Sequence, residues 1–135
     1  MRMSRRNFKR IPSSILVGYS PLLWSDNQIP KNIIYHTHSF DISISGIGLI
    51  NTNHFDKNTL QSLQKHEKKL SLYLYLYETI SPIPIIAKLN WSIILNNEQP
   101  AIQRAGFEFL NIHIDQYRIL DYYIDNLLTH STSIY

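Results

Sequence analysis

The sequence contains no cysteine, which excludes a disulfide framework, a thiolate metal site and a cysteine nucleophile. No apolar run approaches the roughly 20 residues needed to span a bilayer; Pro12, Pro21, Pro82 and Pro84 interrupt the longest candidates. No segment repeats at a fixed period and no low-complexity linker divides the chain. Phosphate-loop glycines are missing, and no motif pairs a nucleophile with a base, so an enzyme is not expected. Charged residues make up only 17% against 44% hydrophobic, a balance that suits a folded soluble protein and not a disordered tail. At 135 residues the chain has room for one domain with a proper core, not for two ordinary ones.

The charge that is present lies unevenly. The net value is +3, yet Arg2, Arg5, Arg6, Lys9 and Arg10 fall in the first ten residues without an acid among them. The rest of the chain carries eight basic and ten acidic residues. Such a terminal cluster suits a phosphate-bearing partner, an anionic surface or an export signal, and equally a solvated chain end.

Beyond the first ten residues the pattern is mostly strand. Ile15 to Trp24 is apolar and β-rich, Ile33 to Ile44 follows, and Ile47 to Ile50 resumes after Gly46. The clearest strand is Leu70 to Tyr77, with Leu70, Leu72, Leu74 and Leu76 on one face and Ser71, Tyr73, Tyr75 and Tyr77 on the other. This period-two alternation predicts leucines in the core and tyrosines on a wetter surface or interface. Ile83 to Leu95 and Ala101 to Leu110 are separated by the turn-like residues 96–100. The period then changes: Ile114, Tyr117, Leu120, Ile124, Leu127 and Leu128 recur at helical spacing, with Asp115 as the expected N-cap and an irregular tail after Leu128. Asp56 to Lys69 reads as a helical turn or a long loop. Six strands and a terminal helix suggest a small antiparallel barrel or sandwich.

Two local patterns stand out. Arg6-Asn7-Phe8-Lys9-Arg10 is an RxxxR preceded by Arg5, and Asp41-Ile42-Ser43-Ile44-Ser45-Gly46 is a DxSxxG at the end of a strand. Each alone is weak; together, in this order in a small β-rich chain, they are specific. The sequence resembles a PilZ domain, whose signature is RxxxR before the first strand and (D/N)xSxxG within the barrel. Gly106-Phe107-Glu108-Phe109 resembles the family's late-strand segment and Ile114–Leu128 its closing helix, so the likeness covers residues 4–128.

The resemblance implies a mainly β fold, a six-stranded antiparallel β-barrel of the PilZ-like split type with a C-terminal α-helix. It implies one domain over 1–135, with a flexible basic segment over 1–12, the barrel over 13–110 and the helix over 114–128. It further implies a bacterial, cytoplasmic receptor for the second messenger cyclic di-GMP, which changes conformation on binding and relays the signal to a partner protein. Motility, biofilm, pili or virulence are the outputs expected of the family. The ligand-binding residues carried over are Arg5, Arg6, Arg10, Asp41, Ser43 and Gly46, with no metal and no other cofactor. An arginine at the position of Arg5 accompanies binding of a stacked ligand dimer in similar proteins. A ligand-independent adaptor with the same fold is the alternative, although such relatives usually lack the arginine motif.

The chemistry agrees. Guanidinium groups grip phosphate and the O6 and N7 edge of guanine with a forked geometry, and stack on purines. A carboxylate suits guanine N1–H and its amine, and Ser43 can donate or accept. Two residues apart on a strand, Asp41 and Ser43 are expected on one side. Gly46 would let the backbone turn or approach the ligand.

Rival readings are weaker. Residues 4–9 resemble a twin-arginine export motif, but Pro12, Ser13 and Ser14 interrupt the region that follows and no small-x-small cleavage site appears. A nucleic-acid polymer is disfavoured by the acidic balance beyond the terminus. His36 and His38 share a strand face but lack further ligands, and read as surface histidines. Oligomeric state, a homodimer included, is not fixed by the sequence.

Overall fold

The computed structural model describes residues 10–30, 32–33, 35–51, 55–95 and 101–132. Among these residues seven strands and two helices follow one another: β1 (Ile11–Pro12), β2 (Leu16–Leu23), β3 (Tyr35–Ile42), β4 (Gly46–Asn51), α1 (Lys57–Gln64), β5 (Lys68–Leu74), β6 (Ile83–Leu95), β7 (Ile102–Leu110) and α2 (Ile114–Thr132). Strands β2 to β7 form a closed antiparallel barrel in the order β3-β2-β5-β6-β7-β4, with β4 returning to pair with β3. The six barrel strands are those expected from the sequence. The short β1 is an addition: Ile11 pairs with Ile42 and Pro12 with Asp41, on the edge of β3 that β2 has left.

Alternation fills the barrel. Val17, Ile42, Ile47, Leu70, Leu72, Leu74 and Phe107 are fully buried, each contributed by a strand whose alternate residues face outward. Leucine β5 positions enter the core as expected, and the opposite face is a packing interface, the second of the two roles expected for it. Ser71 is fully buried and Tyr73 is 8% exposed, because the segment after β2 folds back over them; the Tyr73 hydroxyl donates to the Pro30 carbonyl at 2.5 Å. Tyr77 lies past the end of β5 and packs edge-on against Tyr123 of α2.

Helix α2 lays Leu120 and Ile124 on the core, with Tyr117, Tyr123, Leu127 and Leu128 partly buried beside them. Ile114, expected on that face, is exposed at the start of the helix. Asp115 is not the N-cap. His113 occupies that place: its Nδ1 accepts from the Asp115 N–H at 3.3 Å, and Gln116 Oε1 accepts from the His113 N–H at 3.2 Å. This reciprocal pair is a capping box built with an imidazole. The helix also runs on past Leu128 to Thr132, with the Thr129 hydroxyl bonded to the Asp125 carbonyl.

The ambiguous stretch from Asp56 resolves as α1. The Asp56 carboxylate accepts from Thr59 N and Thr59 Oγ1 at 2.8 and 2.9 Å, capping the helix, and Leu63 inserts into the core. At its far end His66 adopts φ 56°, with its N–H on Leu63 O and the Glu67 N–H on Ser62 O. That is a Schellman closure at a position glycine usually takes, which hid the helix end from a reading by composition.

Candidate functional site

Strand β1 brings the end of the arginine motif to the second motif. Because Pro12 pairs with Asp41, Arg10 emerges beside the turn that follows β3. Its Nη1 stands 3.5 Å from Asp41 Oδ1, and both side chains are partly exposed, at 39% and 22%. Asp41 Oδ1 is itself screened from solvent and has no hydrogen bond among the described residues. Arg10, Asp41 and Gly46 are therefore neighbours. Arg5 and Arg6 lie outside the described residues.

Strand β3 ends at Ile42, so its alternation does not extend to Ser43. Ser43 is fully buried in the turn between β3 and β4. Its hydroxyl meets the N–H groups of Ser45 and Gly46, each at 3.2 Å, and the Ser45 hydroxyl at 3.1 Å. The side chain shapes the turn instead of sharing an outer face with Asp41. Gly46 has no positive φ, so the turn does not need its conformational freedom. Space is what it supplies: a Cβ there would collide with the Phe107 carbonyl and lie 3.3 Å from Arg10 Nη2.

Two β-bulges decide what faces outward. Ser39 and Ile42 both point inward, at 1% and 0% exposure, and the register slips between Ser39 and Asp41. Phe40 is the extra residue. Under unbroken alternation Asp41 would continue the inward series of Thr37 and Ser39; the bulge instead leaves it on the outer face opposite Gly48. The same happens between Leu89 and Trp91, where the extra Asn90 lets Leu89 stay in the core and sends Trp91 outward opposite Gly106. The result is one row across four strands: Asp41, Gly48, Gly106, Trp91.

The two central glycines leave a shallow strip that aromatic rings enter. Phe40 lies over Gly48 and the Trp91 indole over Gly106, with the two ring centroids 6.2 Å apart. The guanidinium of Arg104 stands 5.1 Å from the Phe40 ring, and its Nε has no hydrogen-bond partner among the described residues. The surface thus combines two arginines, one carboxylate and two aromatic faces. Phe40, Trp91 and Arg104 were not singled out from the sequence. The available signal was Gly46-Ile47-Gly48 with Gly106, glycines inside strands that mark close approach. His36 and His38 are exposed on β3, His36 near the Tyr75 ring at 6.4 Å.

The PilZ domain model matches residues 4–126. The chain belongs to the PilZ domain family. Among solved structures, this PilZ domain is similar to the complex of K. pneumonia MrkH with c-di-GMP, at 19% identity and TM-score 0.64, covering 96% of this chain and 55% of that one. It is similar to the PilZ domain of Escherichia coli YcgR with c-di-GMP, at 15% identity and TM-score 0.59, covering 95% of each chain. It also resembles the Bacillus subtilis inhibitor of motility MotI, at 18% identity and TM-score 0.60, covering 100% of this chain and 55% of that one. The chain spans about half the length of MrkH and MotI. No curated protein is matched by the sequence. Among the described residues, no helix is long and apolar enough to cross a membrane.

Proposed function

We propose that this PilZ domain is a receptor for cyclic di-GMP and has no catalytic role of its own. The observation that carries the reading is the outward row Asp41, Gly48, Gly106, Trp91 with Arg10 at one end. Asp41 offers an acceptor to a guanine N1–H and amine. Trp91 and Phe40 offer flat faces for a base, and Arg10 and Arg104 offer forked donors to phosphate or to the guanine O6 and N7 edge. Ser43 acts by holding the turn and Gly46 by leaving room for Arg10. Arg5 and Arg6 join Arg10 around the ligand, Arg5 supporting a stacked dimer. The similar structures of YcgR and MrkH with c-di-GMP support the choice of ligand.

Binding draws the basic segment, residues 4–10, against the barrel and so alters the surface a partner protein reads. The tie of Arg10 to Asp41 supplies the mechanical link, since a ligand that takes Asp41 must displace or share that arginine.

Calorimetry on the purified chain tests the receptor reading. Saturable binding is expected at ligand concentrations of about 50 µM, near two ligands per chain. Absence of heat at that concentration would instead make the chain a ligand-independent adaptor, and a ratio of one would remove the stacked dimer.

A further inference from the structure

Away from the Asp41 row, the segment after β2 covers the outer face of β2 and β5. Three bonds hold it there: Trp24 N to Glu67 O at 2.9 Å, the Ser20 hydroxyl to Asn32 O at 3.1 Å, and the Tyr73 hydroxyl to Pro30 O at 2.5 Å. Beneath this cover lies Lys69, only 5% exposed. Its ammonium donates to Asn27 Oδ1 at 3.2 Å and stands 5.7 Å from the Trp24 ring. No ion pair joins it to a carboxylate among the described residues. A lysine ammonium has three N–H donors, and a buried charge without a counter-charge is costly.

Lys69 and Asn27 also line a cavity of about 300 Å³ that lies against the start of α2. Its other polar walls are Asn111, His113 and Gln116, and no Asp or Glu among the described residues lines it. Ile29, Pro84 and Ile86 supply an apolar wall. The volume is at the lower end for small-molecule sites, whose pattern is an apolar lining with a few fixed polar groups. The first turn of α2 carries partial positive charge on its amides, set against the Asp115 carboxylate in that same turn. Lys69 is the one lining group with a full charge, and it favours an anion; the apolar wall favours one with a short hydrocarbon body.

We propose that this cavity is a binding site for a small organic anion, a carboxylate or phosphate group on a short apolar body, with Lys69 as its counter-charge. The site shares no residue with the Arg10 and Asp41 surface and does not depend on the cyclic di-GMP reading. The anionic group replaces the missing carboxylate partner of Lys69 and accepts from its remaining N–H groups. Asn111, His113 and Gln116 flank it at the mouth.

The test is a titration of the intact chain with sodium butyrate, with inorganic phosphate and with chloride at constant ionic strength, followed by proton–carbon NMR of the lysine ε-methylenes. The expected result is a saturable shift of the Lys69 signal with butyrate or phosphate and none with chloride. A response to butyrate assigns a carboxylate ligand, and a response to phosphate alone assigns a phosphoryl ligand. In Lys69→Met the accompanying amide shifts of Asn111 and His113 should weaken at least tenfold in apparent affinity. The proposal is overturned if the Lys69 signal does not saturate with either anion, or if Lys69→Met responds as the unmodified chain does. Should that variant not fold, the Lys69 signal of the unmodified chain decides by itself.

Discussion

Arg10 Nη1 and Asp41 Oδ1 stand 3.5 Å apart across the join between β1 and β3, linking two motifs about thirty residues apart in sequence. The contact is partly exposed, and an ion pair of that kind contributes only about 0–1 kcal/mol to stability. Its weight is in recognition. Arg10→Ala should lower cyclic di-GMP affinity at least about tenfold, since a hydrogen bond to a charged group is worth about 1.5–3 kcal/mol, while the melting temperature barely moves. Asp41→Asn should weaken binding as well. Paired calorimetry and thermal melts check this; a large melting drop with unchanged affinity would make the pair purely structural.

Trp91 should report the ligand directly. Stacking of a base on an aromatic ring is worth about 1–3 kcal/mol, so Trp91→Ala should weaken binding by roughly one order of magnitude. The chain has two tryptophans, and Trp24 lies beside Lys69 and the His66 ring. Ligand-dependent quenching of fluorescence should therefore disappear in Trp91→Phe and persist in Trp24→Phe. The reverse pattern would place the ligand elsewhere.

Gly46→Ala should damage the fold before it damages recognition. The added methyl meets the Phe107 carbonyl, which is backbone and cannot swing aside. Overpacking of this kind costs about 1–3 kcal/mol. A lower denaturation midpoint with an unchanged denaturant slope is the expected signature. A variant of undiminished stability would show that β4 and β7 can separate locally.

The Asp56 cap predicts an acid-side loss of stability. The Thr59 N–H and hydroxyl hold its carboxyl below the ordinary value of 3.8. A depressed folded pKa means the contribution is complete above that ordinary value and fades as pH falls through the lower folded one. Asp56→Asn keeps a capping oxygen but removes the titration. Its melting temperature should match that of the unmodified chain near pH 3 more closely than at pH 6, and equal differences at both would refute the assignment.

Much of this was legible in the sequence for physical reasons. Period-two alternation at Leu70, Leu72 and Leu74 identifies a strand face whatever surrounds it, and the helical spacing from Tyr117 to Leu128 does the same for α2. Capping was harder to read. His113 at the start of α2 and His66 at the end of α1 hold places where serine, aspartate or glycine is usual, and their roles depend on backbone geometry. The tyrosine face of β5 could be read only as surface or interface, because alternation cannot say that a distant segment, residues 24–30 and 32–33, returns to cover it.

By itself the sequence determined that the chain makes a small antiparallel β structure closed by a helix, and that arginines and a DxSxxG accompany it. Only the tertiary structure decided which groups meet. The extra residues Phe40 and Asn90 reverse the facing of everything after them, turning Asp41 and Trp91 outward onto one row with Gly48 and Gly106. A one-residue slip in a strand moves each later side chain to the opposite face. Whether such a slip occurs is set by pairing with the neighbouring strands, which no single segment contains.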